Sequence, residues 1–85
     1  MKKIIMYTSS YCPFCNNAEQ LLSNKGFVID EKIYVDQDPE VLSSMMKITG
    51  KRTVPQIFIG ENHIGGFDEL RKIDLSGELD RILGV

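Results

Sequence analysis

The distribution of apolar and polar residues over the first 35 positions predicts a strand, then a helix, then a second strand. Residues 3–7, with the sequence Lys-Ile-Ile-Met-Tyr, form a nearly continuous apolar run that is typical of a buried central strand. From position 12 to about 25 the apolar residues recur at helical spacing, and Gly26 is the stop signal. Residues 27–35 then alternate between apolar and polar, which predicts a second strand.

A second helix is predicted between Asp38 and Gly50. Asp38 can cap this helix, a proline occupies its first position and an acid lies in its first turn. Glycine is typical of the position that ends a helix. The buried stripe of the helix is expected to consist of Val41, Leu42, Met45 and Met46.

The last third of the chain predicts a hairpin followed by more helix. Residues 56–59 and 63–65 are the expected strands, and a tight turn at 60–62 joins them. A third helix is expected to begin at Phe67. A last helical turn that packs on the core is indicated by Leu79, Ile82 and Leu83.

The order β-α-β-α-β-β-α determines the expected fold class. The first half requires a right-handed crossover and a parallel strand pair, whereas the hairpin adds antiparallel strands. We therefore expect an α/β protein with a mixed four-stranded sheet and helices on both faces. The length of 85 residues and the hydrophobic fraction of 42% predict a single domain, residues 1–85, with one compact core.

Charge and hydropathy narrow the functional classes. The net charge of −2 provides no broad positive field for nucleic acid or a membrane surface. The N-terminal apolar run is shorter than the ~7–15 residues of a secretory core, and no stretch reaches the ~20 apolar residues of a membrane span. The expected location is the cytoplasm, where thiols are kept reduced and a close cysteine pair is more often catalytic or metal-binding than structural.

The candidate chemistry lies in Cys12-Pro13-Phe14-Cys15, which contains both cysteines of the chain. Cys12 falls at the first turn of a predicted helix, where unpaired backbone N–H groups and the helix dipole favour a thiolate. Only the thiolate attacks disulfides, so Cys12 is the expected nucleophile. Cys15 lies one turn further on the buried face, where it can attack a mixed disulfide formed on Cys12.

A zinc site is the main structural alternative for these cysteines. Structural zinc needs four ligands as a rule, and the chain offers only Cys12, Cys15 and His63. No metal site is therefore expected within one chain, and His63 is expected to be an ordinary surface or strand residue.

Three motifs resemble those of the glutaredoxin family, of the small bacterial dithiol type, and they occur in the same order. They are Cys12-Pro13-Phe14-Cys15, Thr53-Val54-Pro55 and Gly65-Gly66-Phe67-Asp68. The resemblance covers nearly the full length and implies the thioredoxin-like fold. It also implies a monomer with a redox-active Cys12–Cys15 disulfide and no permanently bound cofactor. Glutathione would be its co-substrate, and disulfide-bonded or glutathionylated proteins would be its partners.

The resemblance further implies a glutathione site. The Val54–Pro55 bond is expected to be cis, so that the Val54 backbone can pair with the cysteinyl part of the ligand. The start of the third helix would hold the γ-glutamyl end, although Asp68 could equally be a plain helix cap. The expected contacts are Phe14, Lys51, Arg52, Thr53, Val54, Pro55, Gly66, Phe67 and Asp68.

The chain departs from the family pattern at Ser9, where many members carry a lysine. That lysine helps to hold glutathione and favours the thiolate, and serine supplies no charge. We therefore expect the same chemistry with a less depressed Cys12 pKa and weaker glutathione binding.

Two alternative functions fit part of the pattern. One is a thioredoxin-like reductant with a flavoenzyme donor, but no tryptophan precedes the motif and Pro13-Phe14 replaces the Gly-Pro pair of thioredoxins. The other is an iron–sulfur carrier, in which two subunits share a cluster through their first cysteines and two glutathiones. A proline directly after the cysteine is unusual among such carriers.

Overall fold

Residues 2–84 are described by a computed structural model, and they form four strands and four helices. In chain order these elements are β1 (Ile4–Thr8), α1 (Pro13–Asn24), β2 (Glu31–Tyr34), α2 (Pro39–Thr49), β3 (Gln56–Ile59), β4 (Asn62–Gly65), α3 (Phe67–Ser76) and α4 (Glu78–Leu83).

The strands form one mixed sheet in the order β2-β1-β3-β4. β1 pairs with β2 in parallel and with β3 antiparallel, and β4 returns antiparallel to β3. This arrangement confirms the predicted sheet, with β1 as a central strand. Burial alternates along β1 in the way expected of a strand whose two faces are covered differently, because Ile4, Met6 and Thr8 are buried while Ile5 and Tyr7 are half-buried.

The main core lies on one face of the sheet, between the strands and helices α1, α3 and α4. Its buried members are Ile4, Met6, Cys15, Ala18, Leu22, Ile57, Ile59, Leu70, Leu79 and Leu83. Met45 of α2 is fully buried but is not part of this cluster. The opposite face of the sheet carries Tyr7 and Phe58, whose rings meet edge to face at 6.0 Å. Because Met45 is fully buried without belonging to the main core, α2 covers the opposite face, and the predicted helices on both faces are confirmed.

The second strand is shorter than predicted. It covers Glu31–Tyr34 and not residues 27–35. Phe27 belongs to the end of α1, since its N–H donates to the carbonyl of Leu22 at 3.0 Å and its side chain packs against the core. The hydrogen bond that Phe27 would give to a strand ladder is used to close a helix.

The buried stripe of α2 is narrower than predicted. Asp38 caps the helix by accepting from the Glu40 N–H at 3.0 Å, and Gly50 ends it in the left-handed region, as expected. Met45 is fully buried, whereas Met46 is 40% exposed. Successive helical residues point about 100° apart, so Met46 turns away when Met45 faces the sheet.

The C-terminal turn is a separate helix, α4. Gly77, at a φ of 84°, ends α3 and allows the chain to begin the next helix at once. Leu79 and Leu83 are buried and Ile82 packs against the core, which confirms the predicted packing of this segment.

Lys25 ties the end of α1 to both C-terminal helices. Its Nζ lies 2.7 Å from Asp74 of α3 and 2.9 Å from Asp80 of α4. Hydrogen bonds first to Asp74 and then to Asp80 raise the pKa of Lys25 above its ordinary value of 10.5. A raised pKa means that the folded state holds this proton more tightly than the unfolded chain does.

We expect Lys25→Gln to lower the thermal unfolding temperature near pH 7. The contribution of the lysine is fully present below its unfolded-state pKa and is lost as the pH rises through its higher folded-state pKa. The difference in unfolding temperature between wild type and variant should therefore become smaller above pH 10.5. Calorimetry from pH 7 to 11 measures this difference, with Lys72→Gln on the exposed face of α3 as the control. An equal difference at all pH values would contradict the assignment.

Candidate active site

Cys12 is the N-cap of α1. Its backbone is extended, with φ −148° and ψ 98°, and Pro13 occupies the first helical position. The N–H of Cys15 points at the Cys12 sulfur, with the nitrogen 3.1 Å from Sγ. No acidic side chain lies in the first turn of this helix. The sulfur therefore sits where unpaired amides and the positive end of the helix dipole stabilise negative charge.

The two cysteines are bonded to each other and differ in exposure. The disulfide joins Cys12 to Cys15 across a Cα–Cα distance of 5.2 Å. Cys12 is half-buried, whereas Cys15 is 2% exposed and belongs to the main core. Of the two sulfurs, only that of Cys12 is accessible to a large reactant.

The sheet register brings the second motif next to Cys12. Tyr7 of β1 pairs with Gln56 of β3, so the residues before Gln56 lie beside the end of β1 and the loop that leads to α1. The carbonyl oxygen of Val54 is 3.9 Å from Cys12 Sγ. The Val54–Pro55 bond is cis, which confirms that expectation.

The third motif arrives at the same end of the sheet. Gly65, the last residue of β4, pairs with Ile57 of β3, so the glycine pair lies beside the start of β3. A Cβ on Gly66 would come within 3.3 Å of the Pro55 carbonyl oxygen. The lack of a side chain at Gly66 therefore permits the close approach of the second and third motifs.

A cavity of about 610 Å³ lies between these motifs. Cys12 is not among its lining residues, but the Cys12 sulfur lies 3.9 Å from the carbonyl oxygen of Val54, which lines the cavity. Eight of the nine residues predicted to contact a ligand line the cavity, namely Phe14, Lys51, Thr53, Val54, Pro55, Gly66, Phe67 and Asp68. Five further residues complete the lining, namely Gln56, His63, Ile64, Gly65 and Glu69.

Arg52 is the predicted contact that does not line the cavity. Its neighbours Lys51 and Thr53 both line the cavity, and Lys51 is the only lysine or arginine among the lining residues that the structure describes. Lys51 is therefore the cation that the fold brings to this site.

Glu69, which the sequence analysis did not single out, caps α3. Its carboxylate accepts the Gly66 N–H at 2.7 Å. Asp68 is exposed, and within residues 2–84 its side chain makes no hydrogen bond. The simple role of a helix cap thus falls to Glu69, and the Asp68 carboxylate is available at the cavity wall.

An aromatic pair forms the apolar part of the wall. The rings of Phe14 and Phe67 lie 6.4 Å apart, and Phe14 is 59% exposed. Together they cover the path between Cys12 and the start of α3 with apolar surface.

The loop before Cys12 carries no cation. The Ser9 hydroxyl donates to the carbonyl of Tyr11 at 3.3 Å, and the Ser10 N–H donates to Asp36 at 3.1 Å. Hydrogen bonding from Ser10 holds the pKa of Asp36 below its ordinary value. This loop is therefore anchored on a carboxylate that stays ionised at neutral pH.

Neither a membrane-spanning helix nor a metal-ligating cluster is found within residues 2–84. None of the helices in that range is both long and apolar enough to span a membrane. In the same range, no group of three metal-ligating side chains comes together.

The glutaredoxin family model matches residues 4–64 of this chain. A glutaredoxin of Neisseria meningitidis is 43% identical over 83 residues, which is 98% of both chains. Glutaredoxin 3 of Escherichia coli K12 is 42% identical over 83 residues, 98% of this chain and 99% of that protein. A buckwheat glutaredoxin, solved as a complex with glutathione, superimposes with a TM-score of 0.88 at 29% identity, covering 96% of this chain and 76% of the other.

We expect Cys12 to be the faster-reacting thiol once the disulfide is reduced. Iodoacetamide should label Cys15→Ser through Cys12 with a pH midpoint below the ~8.5 of a free cysteine, because the helix N-terminus favours the thiolate. Cys12→Ser should react far more slowly, since Cys15 is 2% exposed. Mass spectrometry across a pH series measures both rates. Faster labelling of Cys15 would refute the assignment of the accessible sulfur.

Proposed function

The chain belongs to the glutaredoxin family, and on that basis we propose that it reduces protein disulfides and glutathionylated proteins with glutathione as electron donor. Glutaredoxins are thiol–disulfide oxidoreductases, and the Cys12–Cys15 pair is the redox group of such chemistry. The observation that carries the proposal is an accessible sulfur at a helix N-terminus, bonded to a buried partner and next to a cavity with opposite charges at its wall.

The cavity has the groups that an extended tripeptide needs at its centre. Val54 lines the cavity, and within residues 2–84 its N–H has no hydrogen-bond partner. A free backbone N–H beside a carbonyl can pair with an extended peptide in the manner of an added strand. The cysteinyl part of glutathione would lie there, with its sulfur toward Cys12.

The charges of glutathione have counterparts at the cavity wall. The N-terminus of α3 suits the γ-glutamyl carboxylate, and the Asp68 carboxylate suits the ammonium beside it. Lys51 suits the glycine carboxylate. The buckwheat glutaredoxin of the same fold was solved with glutathione, which supports this assignment.

Deglutathionylation needs only Cys12. The Cys12 thiolate attacks the glutathione sulfur of a glutathionylated protein, a Cys12–glutathione disulfide forms, and the protein sulfur leaves as a thiolate. The thiolate of a second glutathione attacks the bound glutathione sulfur. Oxidised glutathione leaves and the Cys12 thiolate is regenerated.

Reduction of a protein disulfide also needs Cys15. Cys12 first forms a mixed disulfide with the substrate and releases one substrate thiolate. Cys15 then attacks the Cys12 sulfur and releases the second thiolate, which leaves the Cys12–Cys15 disulfide. Two glutathione molecules reduce that disulfide in turn. A monomer in the cytoplasm, where glutathione keeps thiols reduced, is the setting that this proposal assigns to the chain.

We expect Cys15→Ser to retain deglutathionylation within about twofold and to lose at least about tenfold in protein disulfide reduction, because only the second reaction needs a resolving thiol. Turnover of a glutathionylated peptide and of insulin, coupled to glutathione and glutathione reductase, measures the two activities. Cys12→Ser is the matched control and should lose both.

The same assay tests the electron donor. Turnover of the wild type with glutathione, and none with thioredoxin reductase alone, is the expected result. Turnover with thioredoxin reductase alone would overturn the proposed function. Equal loss of both activities in Cys15→Ser would overturn the division of roles between the cysteines.

We expect Asp68→Asn to raise the KM for a glutathionylated peptide about fivefold with kcat unchanged, because an exposed ion pair contributes modestly to binding. Glu61→Gln removes the same charge from the hairpin turn and is the control. Steady-state kinetics at two salt concentrations measures the effect, which should shrink at high salt. An unchanged KM would show that Asp68 does not meet the ligand's ammonium group.

A further inference from the structure

A series of hydrogen bonds joins three residues that line the cavity, namely His63 of the outer strand, Gln56 and Thr53. His63 Nε2 lies 2.7 Å from Gln56 Oε1. The Gln56 amide nitrogen donates to the Thr53 carbonyl at 3.0 Å and lies 3.4 Å from the Thr53 hydroxyl. Gln56 is 3% exposed, whereas His63 and Thr53 are exposed. The proposed chemistry uses neither Gln56 nor His63.

The pairing of β3 with β4 explains why the side chains of Gln56 and His63 meet. Gln56 and Phe58 are two residues apart on β3 and so share a face of the sheet. His63 pairs directly with Phe58 across the hairpin, and their rings stack at 4.9 Å with an interplanar angle of 28°. The imidazole is thus held by a ring contact on one side and by the Gln56 amide on the other.

The direction of the hydrogen bonds follows from the Thr53 carbonyl. A carbonyl oxygen only accepts, so the amide nitrogen of Gln56 must face it and the amide oxygen must face His63. The Nε2 of His63 must therefore carry a hydrogen. Both the neutral Nε2–H tautomer and the imidazolium meet this condition, so the link persists when the ring gains a proton on Nδ1.

We propose that His63 is a positioning residue, which acts through Gln56 to hold Thr53 and the adjoining Val54 in the conformation that receives glutathione. The proposal rests on the proposed function for the identity of the ligand. His63 donates to Gln56, Gln56 donates to Thr53, and Thr53 is bonded directly to Val54. The Val54 carbonyl lies 3.9 Å from the reactive sulfur and its N–H is free among residues 2–84.

The arrangement acts on binding and not on the exchange reaction. None of the hydrogen bonds that join His63, Gln56 and Thr53 ends on Cys12, so they move no proton to or from the sulfur. Loss of the His63 donor leaves the oxygen of a buried amide without a partner, and the amide then turns toward another donor and releases the Thr53 carbonyl. The cysteinyl subsite should loosen while the sulfur keeps its helix N-terminus.

Two substitutions of His63 separate the hydrogen bond from the ring contact. His63→Phe keeps an aromatic ring against Phe58 but removes the donor. His63→Gln removes the ring but keeps an N–H at a position equivalent to Nε2. We expect His63→Phe to raise the KM for a glutathionylated peptide about five- to tenfold with kcat within about twofold. His63→Gln should remain within about twofold of wild type in both constants.

The reverse order would overturn the proposal. If His63→Phe were normal and His63→Gln impaired, the histidine would serve only as a ring that packs on Phe58. Equal defects in both variants, in KM and in thermal unfolding temperature, would likewise assign His63 to packing alone.

A double-mutant cycle tests whether Gln56 transmits the effect. Methionine has a shape similar to that of glutamine but lacks the amide. Gln56→Met therefore removes both the oxygen that accepts from His63 and the nitrogen that donates to Thr53, and it should raise KM by itself. Adding His63→Phe to Gln56→Met should then change KM by less than about twofold. Independent, multiplicative effects of the two substitutions would contradict transmission through Gln56.

An NMR measurement on the oxidised protein separates this proposal from the proposed function. The backbone amide signals of Thr53 and Val54 should shift in His63→Phe and should return toward wild-type positions in His63→Gln, with no substrate present. If these shifts occur but the wild type shows no turnover with glutathione, the proposed function fails and the positioning role stands. If turnover is normal but neither signal moves, the positioning role fails.

Discussion

The site depends on one local interaction, the approach of the Cys15 N–H to the Cys12 sulfur at 3.1 Å. This contact exists because Cys12 has an extended backbone and α1 begins at the next residue. The residue that offers the N–H is also the residue that carries the second sulfur and that is buried in the core. One helical turn thus sets the distance between the two sulfurs and the difference in their exposure, and it places an amide where the proposed thiolate of Cys12 would form.

The rest of the fold brings the backbone of the proposed glutathione site to that turn. β3 runs antiparallel to β1, and β4 runs antiparallel to β3, so the residues that precede β3 and the residues that follow β4 meet at the end of β1. The three motifs are separated by tens of residues in sequence and converge for this topological reason. The glycine pair at the end of β4 then allows the second and third motifs to approach closely, since a Cβ on Gly66 would lie 3.3 Å from the Pro55 carbonyl oxygen.

Much of this arrangement could be predicted from the sequence, and the failures have identifiable causes. The strand order, the start of α1 and the cap at Asp38 follow from local patterns that no tertiary contact overrides. The start of β2 could not be separated from the end of α1, because Phe27 fits the apolar positions of either element. Met46 was assigned to the buried stripe because it continues the helical spacing of Val41, Leu42 and Met45, but it lies at the edge of that stripe, where the helix surface reaches solvent.

In the candidate site, too, local features could be predicted from the sequence, whereas features that depend on tertiary structure could not. Glu69 was missed although its position three residues after Gly66 is the usual place for a capping acid. The contrast between Lys51 and Arg52 depends on the path of the loop between α2 and β3, which composition does not specify. The contact between Gln56 and His63 depends on strand register, and the register of this hairpin shifts between Ile57 and Phe58. No alternation pattern in the sequence specifies such a shift.

Ser9 supplies no positive charge to the loop before Cys12. We therefore expect a Cys12 thiolate to be stabilised mainly by the N-terminus of α1. With no lysine on the preceding loop, and with that loop anchored on the ionised Asp36, the amides at the start of α1 are the main stabilising group near the sulfur. Amide hydrogen bonds act over a much shorter range than a full charge. We therefore expect the reactivity of Cys12 to depend on the placement of one turn of helix, which the burial of Cys15 in the core holds in position.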